Sequence, residues 1–380
     1  MNLENDSMSQ ILDDAYADAD AHALTGPDIA RMRRAAAAAD RAGFIEPVQQ
    51  AMIHRRGWLR MLAPRAAGGR QLPLPVVVRL EEEIAAVDGS MGWLVTLCAG
   101  ASWFAGFLPP PVAAGIISSR RVCVAGSGAP TGHAERDGDG FRITGRWDYA
   151  SGAPMATHFT LNAVLREGGQ ALLDVAGAPR IRAFLVPASA VQLAPSWRSI
   201  GLRATASHSY RIDNRWIAAD HGFTIDAAHA TADGPLYRFP FLSLAYFTLA
   251  ANLSGMARHF LQLAAPAIAR RRHPVSGLQL SDAPGVAERL RGLADALDVA
   301  RRHFYRLLDD AWGRVSADSA LSTEETAAIQ TASLALVGAC RDAVDGIYPY
   351  CGLHAAHEDS ELNRVWRDFH TATQHTLLLP

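Results

Sequence analysis

The chain has 380 residues, which exceeds what one hydrophobic core usually supports, so two or three structural units are expected. Hydrophobic residues make up 49% and charged residues 19% of the sequence, a balance that excludes long disordered and fibrous proteins. The 38 acidic and 36 basic residues leave a net charge of −2, which removes the electrostatic case for nucleic acid or an anionic membrane as the main partner.

All 36 basic residues are arginine, and the chain contains no lysine. This excludes three kinds of site that depend on a lysine amine: a Schiff base, a pyridoxal phosphate site and a Walker phosphate loop.

The N-terminus and the cysteines indicate a cytoplasmic protein. Residues 1–20 are acidic and lack the basic start and apolar run of a secretory signal, and no apolar run reaches the ~18 residues of a membrane span. The first ~25 residues are expected to be poorly ordered, as chain ends often are. Cys98, Cys123, Cys340 and Cys351 form no Cys-x-x-Cys pair, so we expect reduced thiols without a disulfide framework or a zinc knuckle.

The hydrophobic periodicity of the sequence changes twice along the chain. Residues 27–118 show apolar positions every three to four residues, which predicts an N-terminal helical domain over 1–119. Short alternating runs separated by Gly-rich turns then predict a β-domain over 120–225.

Helical periodicity returns in the last part of the chain, which predicts a C-terminal domain over 226–380. Four long helical segments are expected at 241–272, 284–312, 323–348 and 360–378. Short breaks between them favour an antiparallel four-helix bundle.

Two motifs that suggest ligand sites fail on closer reading. The segment AGSGAPTG at 125–132 lacks the G-x-G-x-x-G spacing, and a predicted hairpin follows it where a dinucleotide loop needs a helix. His354 and His357 lie three residues apart beside an acidic turn, an arrangement more typical of solvated side chains than of metal ligands. No metal site is predicted.

Five segments carry more specific patterns. They are Asp-Gly-Ser-x-Gly-Trp at 88–93, Gly-x-Trp-x-Tyr-x-Ser-Gly at 145–152, Trp-x-x-x-Gly-Leu-Arg-x-Thr-x-Ser at 197–207, a glycine turn at 348–355, and Arg-x-Trp-Arg-Asp-x-His-x-x-x-Gln-His at 364–375. In this order they resemble the flavin-dependent monooxygenases built on the acyl-CoA dehydrogenase fold, which include two-component aromatic hydroxylases and N-hydroxylases.

The resemblance implies an α+β, mostly α fold with an N-terminal helical domain, a central β-barrel and a C-terminal four-helix bundle. It implies a two-component monooxygenase that receives reduced FMN or FAD from a separate NAD(P)H:flavin reductase. Such an enzyme forms a flavin C4a-hydroperoxide with O2 and oxygenates a small aromatic, heterocyclic or amine substrate. A homotetramer is implied as well.

The same resemblance assigns roles to residues of this chain. His375 would lie over the flavin and Ser151 would hydrogen-bond near its N5 atom, and these two are the predicted catalytic residues. The predicted cofactor-binding residues are Trp147, Ser151, Ser127, Gly128, Thr131, Arg271, Gly352 and Arg367. The predicted substrate-binding residues are Trp93, Ala101 and Trp103.

Residue spacing adds two expectations of its own. On an extended strand Trp147, Tyr149 and Ser151 would point to one face. On a helix a face would contain Arg364, Asp368, Thr371 and His375, with Arg364 and Asp368 as an ion pair. Arg367 falls on another face, from which it could reach a neighbouring helix or a flavin phosphate.

Two departures from family patterns bear on the reaction. No carboxylate follows Asp368 where acyl-CoA dehydrogenases keep their base, which favours oxygen chemistry over dehydrogenation. Ala101 and Met155 stand where aromatic hydroxylases often have histidine, which favours a substrate that is nucleophilic without a base. An FAD-dependent dehydrogenase or oxidase of the same fold and a non-catalytic scaffold remain alternatives.

Overall fold

The computed structural model describes residues 23–283 and 285–379. The expectation of poor order at the N-terminus concerns residues that lie almost entirely outside this described part.

Within the described residues, five α-helices precede the first strand. They are α1 (Gly26–Ala42), α2 (Pro47–Arg56), α3 (Leu74–Ala85), α4 (Gly89–Trp103) and α5 (Pro110–Ile117). The starts of these helices follow local chemistry: Thr25 and Asp28 form a capping box at α1, and Asp88 accepts the Met91 N–H at 3.1 Å at the start of α4.

Helix α4 is unusually apolar. Residues 89–107 are long and apolar enough to cross a membrane, yet 89% of this window is buried inside the protein. The helix contacts α3, strand residues and the C-terminal helices, so it lies in the core.

A mixed β-sheet follows. Its strands are β1 (Val124–Gly126), β2 (Gly132–Asp137), β3 (Gly140–Ala150), β4 (His158–Glu167), β5 (Gln170–Ala171), β6 (Ile181–Pro187), β7 (Gln192–Ala194), β8 (His208–Ala218) and β9 (Gly222–Phe223). The order is β7-β8-β3-β2-β4-β6-β9, and β1 and β5 also pair with β4. Strands β2 and β3 form the predicted hairpin. The pairings form an open mixed sheet, and none among the described strands joins β7 to β9 to close the predicted barrel.

The C-terminal part is helical again. Its helices are α6 (Pro235–Arg238), α7 (Phe241–Ala269), α8 (Val286–Ser316), α9 (Thr323–Cys351), α10 (Leu353–Ala356) and α11 (Glu361–Ala372). The first three predicted long segments agree with α7, α8 and α9 within a few residues. The fourth is shorter than predicted, because α11 ends at Ala372.

The two helical parts share one hydrophobic core. This core includes Trp103 of α4, Phe247 of α7 and Leu336 of α9, while the sheet has its own core around Phe159 and Tyr210. The sheet therefore meets a single helical body, and the end of β3 contacts it at α4.

Candidate active site

A chain of buried hydroxyl groups begins at Ser151, directly after β3. The Ser151 Oγ lies 2.8 Å from the Ser207 Oγ, which lies 2.7 Å from the Thr205 Oγ1. Thr205 Oγ1 donates to the Leu202 carbonyl at 2.7 Å, and the Gly152 N–H donates to the Thr205 carbonyl at 2.8 Å. The sequence motifs contain these residues but do not show that they touch, because 56 positions separate Ser151 from Ser207.

A β-bulge near the end of β3 overturns the predicted alternation of side chains. The pairing with β8 changes register between Trp147 and Ala150, and Tyr149 has a left-handed φ of 70°. A bulge re-aims the residues beyond it. Trp147 is fully buried whereas Tyr149 is 67% exposed, so the prediction that these two side chains share a face is wrong.

Trp147 is a core residue of the sheet. Its ring stacks on Tyr210 with centroids 5.5 Å apart, and its Nε1 donates to the Asn162 carbonyl at 2.9 Å. The predicted role of Trp147 as a wall for the cofactor is therefore wrong. Tyr149 and Trp197 form an accessible aromatic pair beside Ser151 instead, with ring centroids 5.8 Å apart.

Helix α4 contacts both Ser151 and His375. The Cys98 Sγ donates to the Ser151 carbonyl at 3.4 Å, and the Trp93 ring lies 5.8 Å from the His375 ring. Trp93 and Cys98 are five residues apart on α4, about 7.5 Å along the helix axis and about 140° around it. Gly152 has a φ of 77° and packs so closely on α4 that a Cβ there would lie 3.1 Å from the Cys98 Sγ.

His375 lies beyond α11, contrary to the prediction that it shares a helix face with Asp368. It adopts an extended conformation, and its Nδ1 accepts the Leu377 N–H at 3.3 Å. Because Nδ1 accepts, the neutral ring carries its proton on Nε2. Burial lowers the pKa of His375 below its usual range, which favours the neutral imidazole at pH 7.

The loop that carries Thr205 and Ser207 packs directly on α11. A Cβ on Gly201 would lie 2.0 Å from the Arg367 carbonyl oxygen, so no larger residue fits. The Leu202 N–H donates to Asp368 Oδ1 at 2.5 Å. The predicted Arg364–Asp368 ion pair is absent among the described residues, and Arg364 pairs with Glu361 at 3.3 Å.

The Asp368 carboxyl is buried, and burial is the main cause that raises its pKa to about 7. The Leu202 N–H opposes this rise, and the nearby carboxyls of Asp88 and Asp40 add to it. Asp368 is thus partly protonated at neutral pH and serves to hold the loop.

Asp368→Asn is expected to change how stability depends on pH. The unfolded carboxyl loses its proton near pH 3.8 and the folded one near pH 7, so this group lowers the wild-type free energy of unfolding as pH rises across that interval. The amide keeps an oxygen for the Leu202 N–H but does not titrate. Between pH 5 and pH 8, urea unfolding should therefore show the stability of the variant rising relative to wild type by about 2.6 kcal/mol. An equal difference at both pH values would contradict this.

Arg367 does not face a cofactor. Its Nη2 donates to Asp40 of α1 at 2.8 Å, its Nε donates to Asn363 at 2.8 Å, and its Nη1 donates to the Ile200 carbonyl. The guanidinium is buried and its donors are used, so the predicted contact with a flavin phosphate is wrong. Of the two alternatives for Arg367, the neighbouring helix is the one observed.

The other predicted cofactor residues fall in two places. Ser127, Gly128 and Thr131 lie in the segment between β1 and β2, and Gly128 and Thr131 are exposed. Arg271 follows α7 and lies against Gly352, where its Nη1 donates to the Tyr350 carbonyl at 3.1 Å. The cofactor role of these five residues stays a prediction.

Trp103 does not line an open space. It is 1% exposed, its Nε1 donates to the Leu236 carbonyl at 3.0 Å, and its ring packs on Phe107, Tyr237 and Phe241. The predicted substrate contact of Trp103 is therefore wrong, because the side chain is part of the helical core.

One face of α4 is nevertheless open. Leu97 and Phe104 are partly exposed, and a Cβ on Gly100 would meet no atom within 4 Å. Trp93 and Ala101 lie on the same face by helical spacing, but each is only 7% exposed, so their substrate contact stays a prediction. This apolar stripe extends from the His375 contact along the helix.

A surface cavity of about 330 Å³ adjoins the aromatic pair. Its lining includes Trp197, Ser199 and three arginines, Arg41, Arg198 and Arg203. The guanidinium groups make its wall positive, which suits a phosphate or carboxylate.

Comparisons with known proteins bear on the fold and the family of this chain. Residues 247–380 match the family described as "Acyl-CoA dehydrogenase, C-terminal domain". An indole-3-acetate monooxygenase of Pseudomonas putida is 26% identical over 329 residues, 85% of this chain and 81% of that protein. The flavin-dependent monooxygenase oxygenase subunit HsaA of Rhodococcus jostii is 22% identical over 332 residues, 85% of each.

Solved structures show the same fold. XiaF from a Streptomyces species, in complex with FADH2 and glycerol, matches with a TM-score of 0.86 and 20% identity over 97% of this chain and 94% of that one. HsaA of M. tuberculosis matches with a TM-score of 0.84 and 19% identity, with 93% and 92% covered. These matches confirm the predicted acyl-CoA dehydrogenase-like α+β fold. The family predicted from the motifs is confirmed as well: this chain is a homologue of the flavin-dependent monooxygenases built on the acyl-CoA dehydrogenase fold.

Proposed function

We propose that the protein is the oxygenase component of a two-component flavin-dependent monooxygenase. The observation that carries the proposal is that Ser151 and His375 both contact α4, Ser151 through Cys98 and His375 through Trp93. Relatives named as oxygenase subunits or components support a separate NAD(P)H:flavin reductase as the partner.

The residues around the α4 contacts of Ser151 and His375 fit a reduced flavin. A planar ring needs an aromatic or apolar wall and a polar group near its reactive nitrogen, and Tyr149 with Trp197 and the Ser151 hydroxyl offer these. Phosphate groups of FMN or FAD need cations or N–H donors, for which Arg271, Ser127 and the arginine-lined cavity are candidates. When bound, reduced flavin supplies the electrons that activate O2.

The protein's own part is to position groups, to exclude water and to hold protons. Ser151 would accept a hydrogen bond from the bound ring, and the neutral His375, whose Nδ1 accepts the Leu377 N–H, would hold a proton at Nε2 toward the site of reaction. Burial around α4 keeps this region apolar, so both interactions are stronger than they would be in water.

The apolar stripe on α4 favours a neutral, electron-rich substrate. Trp93, Leu97, Gly100, Ala101 and Phe104 offer no group that titrates. A phenol would need a base there, whereas an indole, an amine or a sulfur heterocycle would not. An indole-3-acetate monooxygenase among the relatives supports a heteroaromatic substrate class.

The proposal is tested by mixing the protein with reduced FMN or FADH2 and oxygen in a stopped-flow instrument. We expect an absorbing species that delays the appearance of oxidised flavin. Prompt reoxidation, at the rate of free flavin and without an intermediate spectrum, would contradict the proposal.

Ser151→Ala is expected to weaken the binding of reduced flavin about fivefold to tenfold, because one hydrogen bond contributes about 1 kcal/mol net. An anaerobic titration measures this. Ser102→Ala, which removes a buried hydroxyl that donates to the Ala99 carbonyl outside the hydroxyl chain, is the control for the loss of a buried hydroxyl. Equal affinities for wild type and Ser151→Ala would show that the hydroxyl does not contact the flavin.

We also propose a cytoplasmic homotetramer. Arg271 is exposed at the end of α7, where a second copy could bring a flavin phosphate to it. Sedimentation that shows a fully active monomer would contradict this arrangement.

A further inference from the structure

We propose that the hydroxyl chain Ser151–Ser207–Thr205 makes the site select reduced flavin over oxidised flavin. The inference rests on the proposed function, since it takes Ser151 as the group that faces the reactive nitrogen of the ring.

The direction of the chain follows from counting protons. A hydroxyl has one proton to donate and two lone pairs that accept. Thr205 uses its proton on the Leu202 carbonyl at 2.7 Å, so it can only accept from Ser207. Ser207 then has no proton left for Ser151, and across the 2.8 Å contact Ser151 must be the donor.

Few other groups can disturb this direction. Residues Ser151, Ser207 and Thr205 are 5%, 3% and 0% exposed, so bulk water does not compete for their protons. No other hydrogen bond of the Ser207 or Thr205 hydroxyl is found within the described part of the chain. The Leu202 carbonyl at the end of the chain is backbone and can only accept.

The consequence is that Ser151 presents only lone pairs to a ligand. Reduced flavin carries an N–H at N5, which donates to such an oxygen. Oxidised flavin has an unprotonated N5, so two acceptors would face each other and one buried bond would be unmade. A directed chain of this kind favours the form of the cofactor that a reductase delivers and favours release of the oxidised form after turnover.

Two substitutions free the Ser151 proton for the ligand while leaving Ser151 itself unchanged. Ser207→Ala removes its acceptor, which frees the Ser151 proton for the ligand. Thr205→Val keeps the shape but removes the acceptor for Ser207, so that Ser207 can donate to Ser151 and release the Ser151 proton. Ser102→Ala is the control, because Ser102 is an equally buried hydroxyl that donates to the Ala99 carbonyl outside the chain.

The experiment measures dissociation constants for oxidised FMN and, under anaerobic conditions, for reduced FMN. We expect the ratio of the oxidised to the reduced constant to fall about tenfold in both variants and to stay unchanged in Ser102→Ala. The two-electron potential of the bound flavin should fall by about 30 mV in parallel, which is the same tenfold change.

The outcomes distinguish a failure of the proposed function from a failure of the directed hydroxyl chain. If wild type binds neither form of FMN or FAD, the proposed function fails. If wild type binds flavin but both variants keep its ratio and its potential, the flavin site stands and the directed hydroxyl chain is refuted.

Discussion

Glu82→Gln is expected to lower the free energy of unfolding by about 3 kcal/mol, the lower part of the range for breaking a buried ion pair. Glu82 lies on α3 and is 1% exposed. It accepts from the Arg301 Nε at 2.7 Å, from Ser254 at 2.6 Å and from Tyr305 at 2.9 Å, and the Arg258 guanidinium lies 3.3 Å away. These partners lie on α7 and α8, so one carboxylate ties the N-terminal helices to the C-terminal ones.

The expected loss comes mainly from the groups left behind. Without the carboxylate, the two arginines keep their charges beside an apolar core, but they are about one-third exposed, which limits the penalty. Despite burial, the Arg301 contacts hold the pKa of Glu82 below its usual value of 4.5. The stabilisation is therefore complete above pH 4.5 and is lost as pH falls below it.

The neighbouring residue Glu81 supplies a matched control. It is fully buried, and no arginine pairs with it among the residues the structure covers. Burial raises the pKa of Glu81 well above its usual range, which favours its neutral form. Glu81→Gln then exchanges one neutral group for another and should cost less than about 1 kcal/mol. Urea unfolding at pH 7 compares the two variants, and equal losses would show that the ion pairs of Glu82 add nothing.

Local patterns predicted the helices well because their causes are local. The periodicity of α7, α8 and α9 and the Gly-rich turn between β2 and β3 lie within a few residues of the structure they specify. The bulge in β3 has no such signal, because it arises from pairing with β8 some 60 positions later. The burial of Trp147 and the exposure of Tyr149 follow from that pairing.

Motif resemblance named residues that contact one helix in the structure, but it did not give the direction of their side chains. It placed Ser151 and His375, which the structure brings to one helix, and it also named Arg367, whose partner Asp40 is 327 positions away. A buried arginine with an acid on another helix cannot be distinguished from a phosphate ligand by spacing alone. The hydroxyl chain likewise could not be predicted from the sequence, because Ser151 and Ser207 are 56 positions apart and the loop at 197–207 is held by packing on α11.

His375→Ala is expected to have the largest effect on the reaction with oxygen. A positioned acid or base contributes about 10²–10⁴-fold to a proton-transfer step. The His375 ring lies against Trp93, and its Nδ1 is held by the Leu377 N–H, so its Nε2 proton has a fixed direction. We therefore expect the delay before oxidised flavin appears in the stopped-flow experiment to shorten about 100-fold or more in the variant.

The pH dependence identifies the group. The pKa of His375 in the folded protein lies below its usual 6.5. The neutral ring therefore persists on acidification until the pH falls below this lowered pKa. In wild type the delay should change with pH only on this acid side, and in His375→Gln, which keeps an N–H donor but does not titrate, that dependence should vanish.

His370→Gln is the matched control for the same assay. His370 also lies near the C-terminus, but its Nε2 pairs with Asp345 at 3.0 Å on α9. The His370→Gln variant should show the same delay and the same pH profile as wild type. If His375→Gln keeps the acid limb and His370→Gln removes it, the titrating group was assigned to the wrong histidine, and the C-terminal imidazole at α4 has no part in holding the proton.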